Sequence, residues 1–291
     1  MDKLYDITLI KGILQRYGFS FSKGLGQNFI INPSVCPKIA EYGVPDESYG
    51  VLEIGPGIGV LTNELCKRAK KVVAVEIDKR LIPVLKETLC EHKNLVVIND
   101  DVMKLDLNAL IKREFGDMPV SVCANLPYYI TSPIIMKLLE DKLDVTCITV
   151  MVQKEAAQRL CAMPGSRDCG AVTISARYYC EPEMLFKVSA GSFMPAPKVD
   201  SAVIRLNVRK EPVITPKDEK TLFKVIKAAF LQRRKVLPNT LAAGLSISKS
   251  DAEKIIGNAG VDKSARAEQL SMEEFCKIAD STYDYFASTK Q

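Results

Sequence analysis

The stretch Asn125-Leu126-Pro127-Tyr128 has the residue types that catalysis on an amino group needs. Pro127 favours an extended conformation for the residue before it. In that geometry one NH2 group can donate hydrogen bonds to two acceptors. These are the Asn125 side-chain oxygen and a nearby main-chain carbonyl, for which Leu126 is the candidate. Tyr128 can offer the face of its ring to a flat base. Because Asn and Pro are also common in turns that end strands, the stretch alone does not decide between the two interpretations.

A glycine-rich turn, Gly55-Pro56-Gly57-Ile58-Gly59, stands upstream between a buried strand and a helix. Its glycines let a nucleotide-like ligand approach the backbone. The next strand ends in Glu76, at the offset of about 20 residues where an acid meets ribose hydroxyls in dinucleotide-binding folds. Asp78 behind it is interpreted as a helix cap. An NAD-dependent oxidoreductase is disfavoured, because Val60 stands where the third glycine of G-x-G-x-x-G belongs.

A G-x-G-x-G turn followed by an acidic strand end resembles the S-adenosylmethionine (SAM) site of Rossmann-like methyltransferases. Along nearly its whole length, the chain resembles the rRNA adenine N6-dimethyltransferase family, in particular the bacterial small-subunit type. The matching segments are Gly24-Leu25-Gly26-Gln27-Asn28-Phe29, Glu53-Ile54-Gly55-Pro56-Gly57, Glu76-Ile77-Asp78, Asp101, Asn125-Leu126-Pro127-Tyr128 and Phe193-Met194-Pro195-Ala196-Pro197-Lys198-Val199-Asp200-Ser201.

This resemblance implies an α/β fold, a Rossmann-like class I SAM-dependent methyltransferase sheet with a small all-helical C-terminal domain. SAM is the implied methyl donor, and no metal is expected. The implied SAM contacts are Asn28, Ile30, Gly55, Gly57, Glu76, Asp101 and Asn125, and the implied catalytic and base-holding residues are Asn125, Leu126, Tyr128 and Phe193. We expect Phe193 to be displayed on a stiff loop, because Met194-Pro195-Ala196-Pro197 follows it.

The implied activity is methyl transfer to N6 of two adjacent adenines in the 3'-terminal hairpin loop of small-subunit (16S) rRNA. The product would be N6,N6-dimethyladenosine, made during ribosome biogenesis. One alternative is a large-subunit (23S) rRNA adenine methyltransferase of the macrolide-resistance type, which shares Gln27-Asn28-Phe29 and the 125–128 stretch. Gly55-Pro56-Gly57, Thr131-Ser132-Pro133 and the long helical tail favour the small-subunit type. A second alternative is a non-catalytic ribosome assembly factor, which the intact 125–128 stretch makes secondary.

Apolar runs alternate with helical patterns from residue 50 onward, which predicts βαβ units and a parallel sheet. The predicted strands are 51–54, 72–76, 95–98, 120–124 and 146–152, with helices near 59–69, 79–91, 105–115 and 132–140. Ala171–Tyr179 and Ser201–Val208 are predicted to pair antiparallel at one edge. The predicted domains are an N-terminal helical extension with a SAM-covering loop (1–49), the methyltransferase domain (50–211) and a helical RNA-binding domain (212–291).

The C-terminal part contains a run of positive charge without an acid between Phe223 and Thr240. Such a run is often only a solvated helix face, but after a base-modifying core it favours binding to RNA phosphates. The residues concerned are Lys224, Lys227, Arg233, Arg234 and Lys235. The run departs from the family at Pro238, where another arginine is usual. Because proline is tolerated in a first helical turn, Pro238 is predicted to start a helix.

Composition is consistent with a cytoplasmic enzyme. The family resemblance implies that its partner is the small ribosomal subunit with its 16S rRNA, and we expect a monomer. The chain has 291 residues with 47% hydrophobic content and a net charge of +5, so it can bury a large core. No stretch approaches a membrane span, and the N-terminus lacks the features of a signal peptide. Its nine cysteines form no C-x-x-C pair, so we expect neither a zinc site nor a disulfide framework.

Overall fold

The computed structural model describes residues 4–19, 27–232 and 234–289. Within them the chain forms two compact units. The first takes the described chain up to Ala157 together with Pro182–Val208, and the second takes Gln158–Glu181 and the chain from Arg209 onward. The second unit therefore includes a segment that the sequence assigns to the methyltransferase domain. The N-terminal extension belongs to the first unit.

The strands of the described residues form one large sheet and one small ladder. They are β1 (Phe29–Ile30), β2 (Gly50–Ile54), β3 (Lys71–Glu76), β4 (Leu95–Asn99), β5 (Val120–Asn125), β6 (Cys147–Gln153), β7 (Cys180–Val188), β8 (Phe193–Met194) and β9 (Ser201–Val208). The large sheet has the order β4-β3-β2-β5-β6-β9-β7, and β1 pairs with β8 in the small ladder. The predicted α/β class and parallel sheet are confirmed.

The order of the strands fixes where a ligand can bind. From β2 the chain builds outward through β3 to β4 and then returns to the other side of β2 with β5, all four strands being parallel. At such a switch point the loops on the two sides diverge and leave a crevice at the carboxyl ends of the strands. Gly55, Glu76, Asp100 and Asn125 stand at or just beyond these ends.

The central strands are apolar and covered on both faces, as parallel strands between two layers of helices must be. All residues of β2 are buried, and so is β3 after its first residue. Gly50 at the start of β2 is required by packing, because a Cβ there would stand 2.3 Å from the Phe115 ring. Two acids interrupt this apolar layer, Glu53 and Glu76, which are 1% and 4% exposed.

The described residues contain twelve α-helices. They are α1 (Ile7–Arg16), α2 (Val35–Gly43), α3 (Val60–Cys66), α4 (Ile82–Thr88), α5 (Leu107–Phe115), α6 (Thr131–Glu140), α7 (Lys154–Cys161), α8 (Ala171–Tyr179), α9 (Glu219–Ala229), α10 (Leu237–Leu245), α11 (Lys249–Asn258) and α12 (Met272–Thr289). Short 3-10 turns cover Lys79–Leu81, Tyr128–Ile130, Ala190–Ser192 and Ala267–Gln269. Neither α2 nor α7 was predicted. Pro238 lies in the first turn of α10, as predicted.

The prediction of a strand at Ala171–Tyr179 is wrong, because this segment is α8. Its β-branched residues suggest a strand, but local contacts at its start favour a helix. The Gly170 N–H donates to Thr173 Oγ1 over 3.0 Å, and that hydroxyl donates to the Arg159 main-chain oxygen over 2.6 Å. The edge strand is β7, which directly follows α8 and lies next to β9. The antiparallel placement of Ser201–Val208 is confirmed, with β6 as its partner.

The second unit is helical from residue 209 onward, as predicted for the C-terminal region. Its helices begin with side-chain caps at two places, where Asp218 accepts from the Thr221 N–H and Ser248 accepts from the Asp251 N–H. Phe230 and Phe275 stack inside the unit with ring centroids 6.0 Å apart. In the described part of the chain, no helix combines the length and the apolar character that crossing a membrane requires.

Candidate active site

A pocket opens at the carboxyl edge of the sheet in the first unit, at the switch point. It brings together all the described residues that the sequence assigned to cofactor binding and catalysis. These are Asn28, Ile30, Gly55, Gly57, Glu76, Asp101, Asn125, Leu126, Tyr128 and Phe193. Their proximity is a finding of the structure, while the role of each residue stays a prediction.

The glycine turn brings main chain to the floor of the pocket. Gly55 and Gly57 have φ of 69° and 61°, a left-handed conformation that favours glycine. A Cβ on Gly57 would stand 3.3 Å from the Phe29 ring, so the turn packs closely against β1. Gly59, with φ of 90°, then begins α3. The turn therefore lines the pocket, and its contact with a ligand stays a prediction.

Glu76 ends β3 and is held by two main-chain donors. Its Oε1 accepts from the Asp78 N–H over 2.8 Å, and its Oε2 accepts from the Gly57 N–H over 3.2 Å. Burial raises the pKa of Glu76, and these N–H groups act in the opposite direction. The carboxyl group is thus fixed beside the glycine turn, where its remaining lone pairs can accept from hydroxyl groups.

Asp101 lies in the turn that follows β4, next to Glu76. The two turns are tied together, because Asn99 Nδ2 and the Asp100 N–H both donate to the Glu76 main-chain oxygen, over 2.7 and 3.1 Å. Asp101 Oδ1 accepts from the Met103 N–H over 3.0 Å. Its carboxylate can therefore accept from an amine at the far end of the pocket.

Apolar side chains that the sequence did not predict also line the pocket beside these acids. Ile77, Val102 and Met103 line the pocket, each within two residues of Glu76 or Asp101. Together they offer apolar surface that can contact the faces of a flat ring. Their position directly after the acids of two successive strands was the signal that could have identified them.

Glu53 is a further lining residue without an assigned role. In the described residues its Oε2 is buried without a hydrogen-bond partner. Burial raises the pKa of Glu53 to about 8. At neutral pH the Glu53 side chain is therefore a neutral carboxylic acid, which offers one O–H donor and one carbonyl acceptor to a group that enters the pocket.

The charge of the lining residues indicates which kind of nucleotide ligand the pocket can hold. Among the described residues its lining contains four carboxyl groups and neither Lys nor Arg. These acids are Glu53, Glu76, Asp100 and Asp101. A pyrophosphate would find no Lys or Arg partner among these residues, whereas SAM carries a sulfonium and an ammonium group that ionised carboxylates attract. The residues present therefore fit SAM better than a dinucleotide.

Asn125 ends β5, and its amide is oriented by Asn28, the residue before β1. Its Nδ2 donates to the Asn28 main-chain oxygen over 3.3 Å. The Leu126 N–H donates to the Met151 main-chain oxygen over 3.0 Å, and Pro127 continues with an extended ψ of 135°. The turn after β5 is thus anchored to the neighbouring strand β6, and the carboxamide stands at the wall of the pocket.

Two aromatic rings lie beyond Asn125. The Tyr128 hydroxyl stands 2.7 Å from Ser201 Oγ, and burial raises the pKa of Tyr128, so its phenol stays protonated. The expectation that Phe193 is displayed on a loop is wrong. Phe193 is 3% exposed, because it belongs to β8 and pairs with Ile30 of β1. It still lines the pocket from within.

Asp78 caps the turn after β3 and also holds the segment that carries Asn28. Its Oδ1 accepts from the Arg80 N–H over 3.1 Å, which confirms the predicted cap. Its Oδ2 accepts from Gln27 Nε2 over 2.9 Å. Hydrogen bonds lower the pKa of Asp78, and the one from the Arg80 side chain does so most strongly. The Asp78 carboxylate therefore stays ionised.

The described residues of the basic run lie in the second unit, and none of them lines the pocket. Lys224 and Lys227 are exposed on α9, and Arg234 and Lys235 are exposed in the turn before α10. Arg233 lies outside the described residues, as do residues 24–26 of the N-terminal motif. Among the described residues, no group of three or more His, Cys, Asp or Glu side chains could hold a metal ion.

Comparison with known proteins agrees with this geometry. The model of the family described as ribosomal RNA adenine dimethylase matches residues 18–284. The ribosomal RNA small subunit methyltransferase A of Anoxybacillus flavithermus is 46% identical over 283 residues, which are 96% of this chain and 96% of that protein. A solved dimethyladenosine transferase from Plasmodium falciparum has a TM-score of 0.70 and 28% identity, over 86% of this chain and 95% of that one. The 23S rRNA methyltransferase ErmE has a TM-score of 0.64 and 29% identity, over 87% of this chain and 99% of that one.

Proposed function

The chain belongs to the ribosomal RNA adenine dimethylase family and is a SAM-dependent enzyme, and we propose that it methylates N6 of two adjacent adenines in the 3'-terminal hairpin loop of small-subunit (16S) rRNA. The product is N6,N6-dimethyladenosine, made during ribosome biogenesis in the cytoplasm by a monomeric enzyme. One observation supports this proposal above the others. The Asn125 carboxamide stands at the wall of an acidic pocket with neither Lys nor Arg among its described lining residues.

The carboxyl edge of the sheet supplies the proposed SAM contacts. Glu76 accepts from the ribose hydroxyls, and Asp101 accepts from the adenine amine. Ile77, Val102 and Met103 would contact the adenine ring, and the Gly55-to-Gly57 turn would approach the rest of SAM, since all of these residues line the pocket. When bound, SAM supplies a methyl group that its sulfonium has already activated, so these residues need only bind and align it.

The chemical step depends on how the target nitrogen is oriented. The N6 lone pair of adenine is delocalised into the ring, so the amine must become pyramidal before it can attack. Asn125 Oδ1 and the main-chain oxygen at Leu126 accept its two hydrogens and stabilise the charge that develops in the transition state. Asn125 therefore orients the amine and does not act as a base. Each methylation replaces one N6 hydrogen, which leaves as a proton to water, so a monomethylated amine can still donate one hydrogen bond here.

Tyr128 and Phe193 are the proposed contacts for the target base. A base must leave its stack in the RNA to reach this pocket. Stacking on an aromatic side chain compensates for the cost of unstacking by about 1–3 kcal/mol for each base. The hydrogen bond to Ser201 holds the Tyr128 ring in place. Phe193 is buried in the wall, so we assign it contact with the base inside the pocket rather than at the surface.

The small subunit is the preferred substrate for two reasons. The relative at 46% identity carries the small-subunit name, whereas the 23S enzyme ErmE is 29% identical. The C-terminal unit also presents exposed cations at Lys224, Lys227, Arg234 and Lys235, which we propose to contact RNA phosphates. A non-catalytic assembly factor would not need the hydrogen-bonded arrangement around Asn125.

The test is methyl transfer from labelled SAM to three substrates, which are small subunits that lack the modification, large subunits and naked 16S rRNA. We expect label in small-subunit RNA. Label confined to large-subunit RNA would favour the macrolide-resistance type, and the absence of label from all three would favour the assembly factor.

A further inference from the structure

Tyr129 is an exposed aromatic residue at the mouth of the pocket. Its side chain is 61% exposed, although it lines the pocket together with its neighbour Tyr128. Single exposed apolar residues are normal on protein surfaces and need no function. Of the large apolar side chains that are exposed in the described residues, however, only Ile77 and Tyr129 line this pocket. Ile77 follows Glu76 at the proposed SAM end, so Tyr129 is the exposed ring at the base end.

The support under Tyr129 is fixed on both sides. The Ile130 N–H and Thr131 Oγ1 both donate to the Pro127 main-chain oxygen, over 3.2 and 3.1 Å. On the other side, the Tyr128 hydroxyl stands 2.7 Å from Ser201 Oγ. The ring therefore projects into solvent from a short, hydrogen-bonded 3-10 turn. The main chain that carries the ring is already fixed by these hydrogen bonds, so contact with a ligand costs little main-chain entropy.

We propose that Tyr129 is a stacking platform for a nucleotide next to the adenine that occupies the pocket. This inference rests on the proposed function, in which the two target adenines are adjacent in one loop. While one adenine is in the pocket, its neighbour is also out of a regular stack and needs a surface. An exposed tyrosine beside the mouth offers a π-face to any base, without reading its sequence.

The inference predicts that the ring matters for RNA binding and not for SAM binding. Tyr129→Ala and Tyr129→Leu should each raise KM for small subunits by about 10-fold, the scale of one lost stacking contact. This rise should exceed any fall in kcat, and SAM affinity should stay at the wild-type value. Tyr129→Phe and Tyr129→Trp keep a π-face and should retain KM near wild type.

Tyr42 provides a matched control on the same unit. It is 40% exposed on α2 and does not line the pocket, so Tyr42→Ala should leave KM unchanged. A KM for Tyr129→Ala within about twofold of wild type, or a leucine variant that binds as tightly as wild type, would overturn the platform. A phenylalanine variant as weak as alanine would also overturn it, because the hydroxyl would then be the contact.

The same experiment separates the two proposals. If the wild-type enzyme labels small subunits and Tyr129→Ala matches it in KM, only the platform is wrong. If the wild-type enzyme labels no small subunits, the proposed function fails and the platform fails with it. Thermal melting of each variant checks folding, and Tyr129→Phe removes only the hydroxyl group while it keeps the ring.

Discussion

Asn125 Nδ2 donates a hydrogen bond to the main-chain oxygen of Asn28 over 3.3 Å, and this contact determines which end of the carboxamide can accept. A main-chain oxygen can only accept, so the NH2 end of the amide must face Asn28. The Oδ1 end is then the one that can receive hydrogens from a substrate amine. The two residues are 97 positions apart in the sequence and meet at the pocket, where β1 approaches the end of β5.

The first prediction concerns this amide. Asn125→Ala should lower the rate of methyl transfer by about 100-fold or more, the scale for losing one group that stabilises a transition state. SAM affinity should change only by a modest factor, because other residues hold SAM. Single-turnover kinetics and calorimetry measure the two quantities separately. Asn258→Ala, at an exposed position on α11, is the control and should match wild type. Turnover near wild type in Asn125→Ala would refute the orienting role.

The second prediction concerns the ribose contact. Glu76→Ala should weaken SAM binding by about 5-fold to 150-fold, since unpaired buried donors cost about 1–3 kcal/mol. Glu76 also accepts from the Gly57 N–H, so Glu76→Gln is the milder variant, which keeps one acceptor oxygen. Calorimetry should rank the affinities as wild type, then Gln, then Ala. The exposed Glu47→Ala is the control. Wild-type affinity in Glu76→Ala would show that the acid does not contact SAM.

The third prediction concerns pH and Glu53. Burial raises the pKa of Glu53 from 4.5 to about 8, so the folded protein holds this proton where the unfolded chain has lost it. The resulting contribution to stability is complete below pH 4.5 and is lost as pH rises through about 8. Within that window, wild-type stability should fall relative to Glu53→Gln by about 1.4 kcal/mol for each pH unit.

Urea unfolding of the SAM-free protein at about pH 5 and about pH 8 measures this difference. Glu47→Gln, at an exposed position, is the control variant. If the difference between wild type and Glu53→Gln stayed constant, Glu53 would titrate at its ordinary pKa in the folded protein.

The fourth prediction concerns the exposed cations of the second unit. Replacing Lys227, Arg234 and Lys235 with alanine should weaken binding to small subunits and leave SAM affinity unchanged. Each phosphate contact that is lost should lower the salt slope of binding by about 0.7 to 0.9. A control with the same loss of charge replaces three other exposed lysines, which are Lys249, Lys254 and Lys263. If the two triple variants bound equally well with equal salt slopes, the basic run would be only a solvated face.

The sequence predicts the parts of the fold that depend on local pattern. The apolar runs of β2 to β6 and the left-handed glycines after β2 are readable because burial and backbone geometry restrict the residue types. The helix α2 was missed, since its C-terminal Gly43 looks like a loop residue. A Cβ there would stand 2.3 Å from Cys123 Sγ, so glycine is required by packing that only the folded chain reveals.

The candidate site likewise combines residues that a local sequence pattern predicts with contacts that only the folded chain reveals. Glu76 and Asn125 end buried strands and Asp101 follows β4, so their place at the carboxyl edge of the sheet agrees with the pattern of apolar runs in the sequence. The burial of Phe193 could not be predicted, because it depends on the pairing of β8 with β1, which joins segments far apart in the chain. The hydrogen bond between Gln27 and Asp78 is also a tertiary contact without a local pattern.

The most direct test of the account is mass spectrometry of the nucleosides in small-subunit rRNA after reaction with the enzyme and SAM. Wild type should produce N6,N6-dimethyladenosine, and primer extension should place it at two adjacent adenines of the 3'-terminal hairpin loop. Asn125→Ala should leave these positions almost unmodified. A product that stops at monomethyladenosine, or dimethyladenosine found only in large-subunit rRNA, would contradict the account.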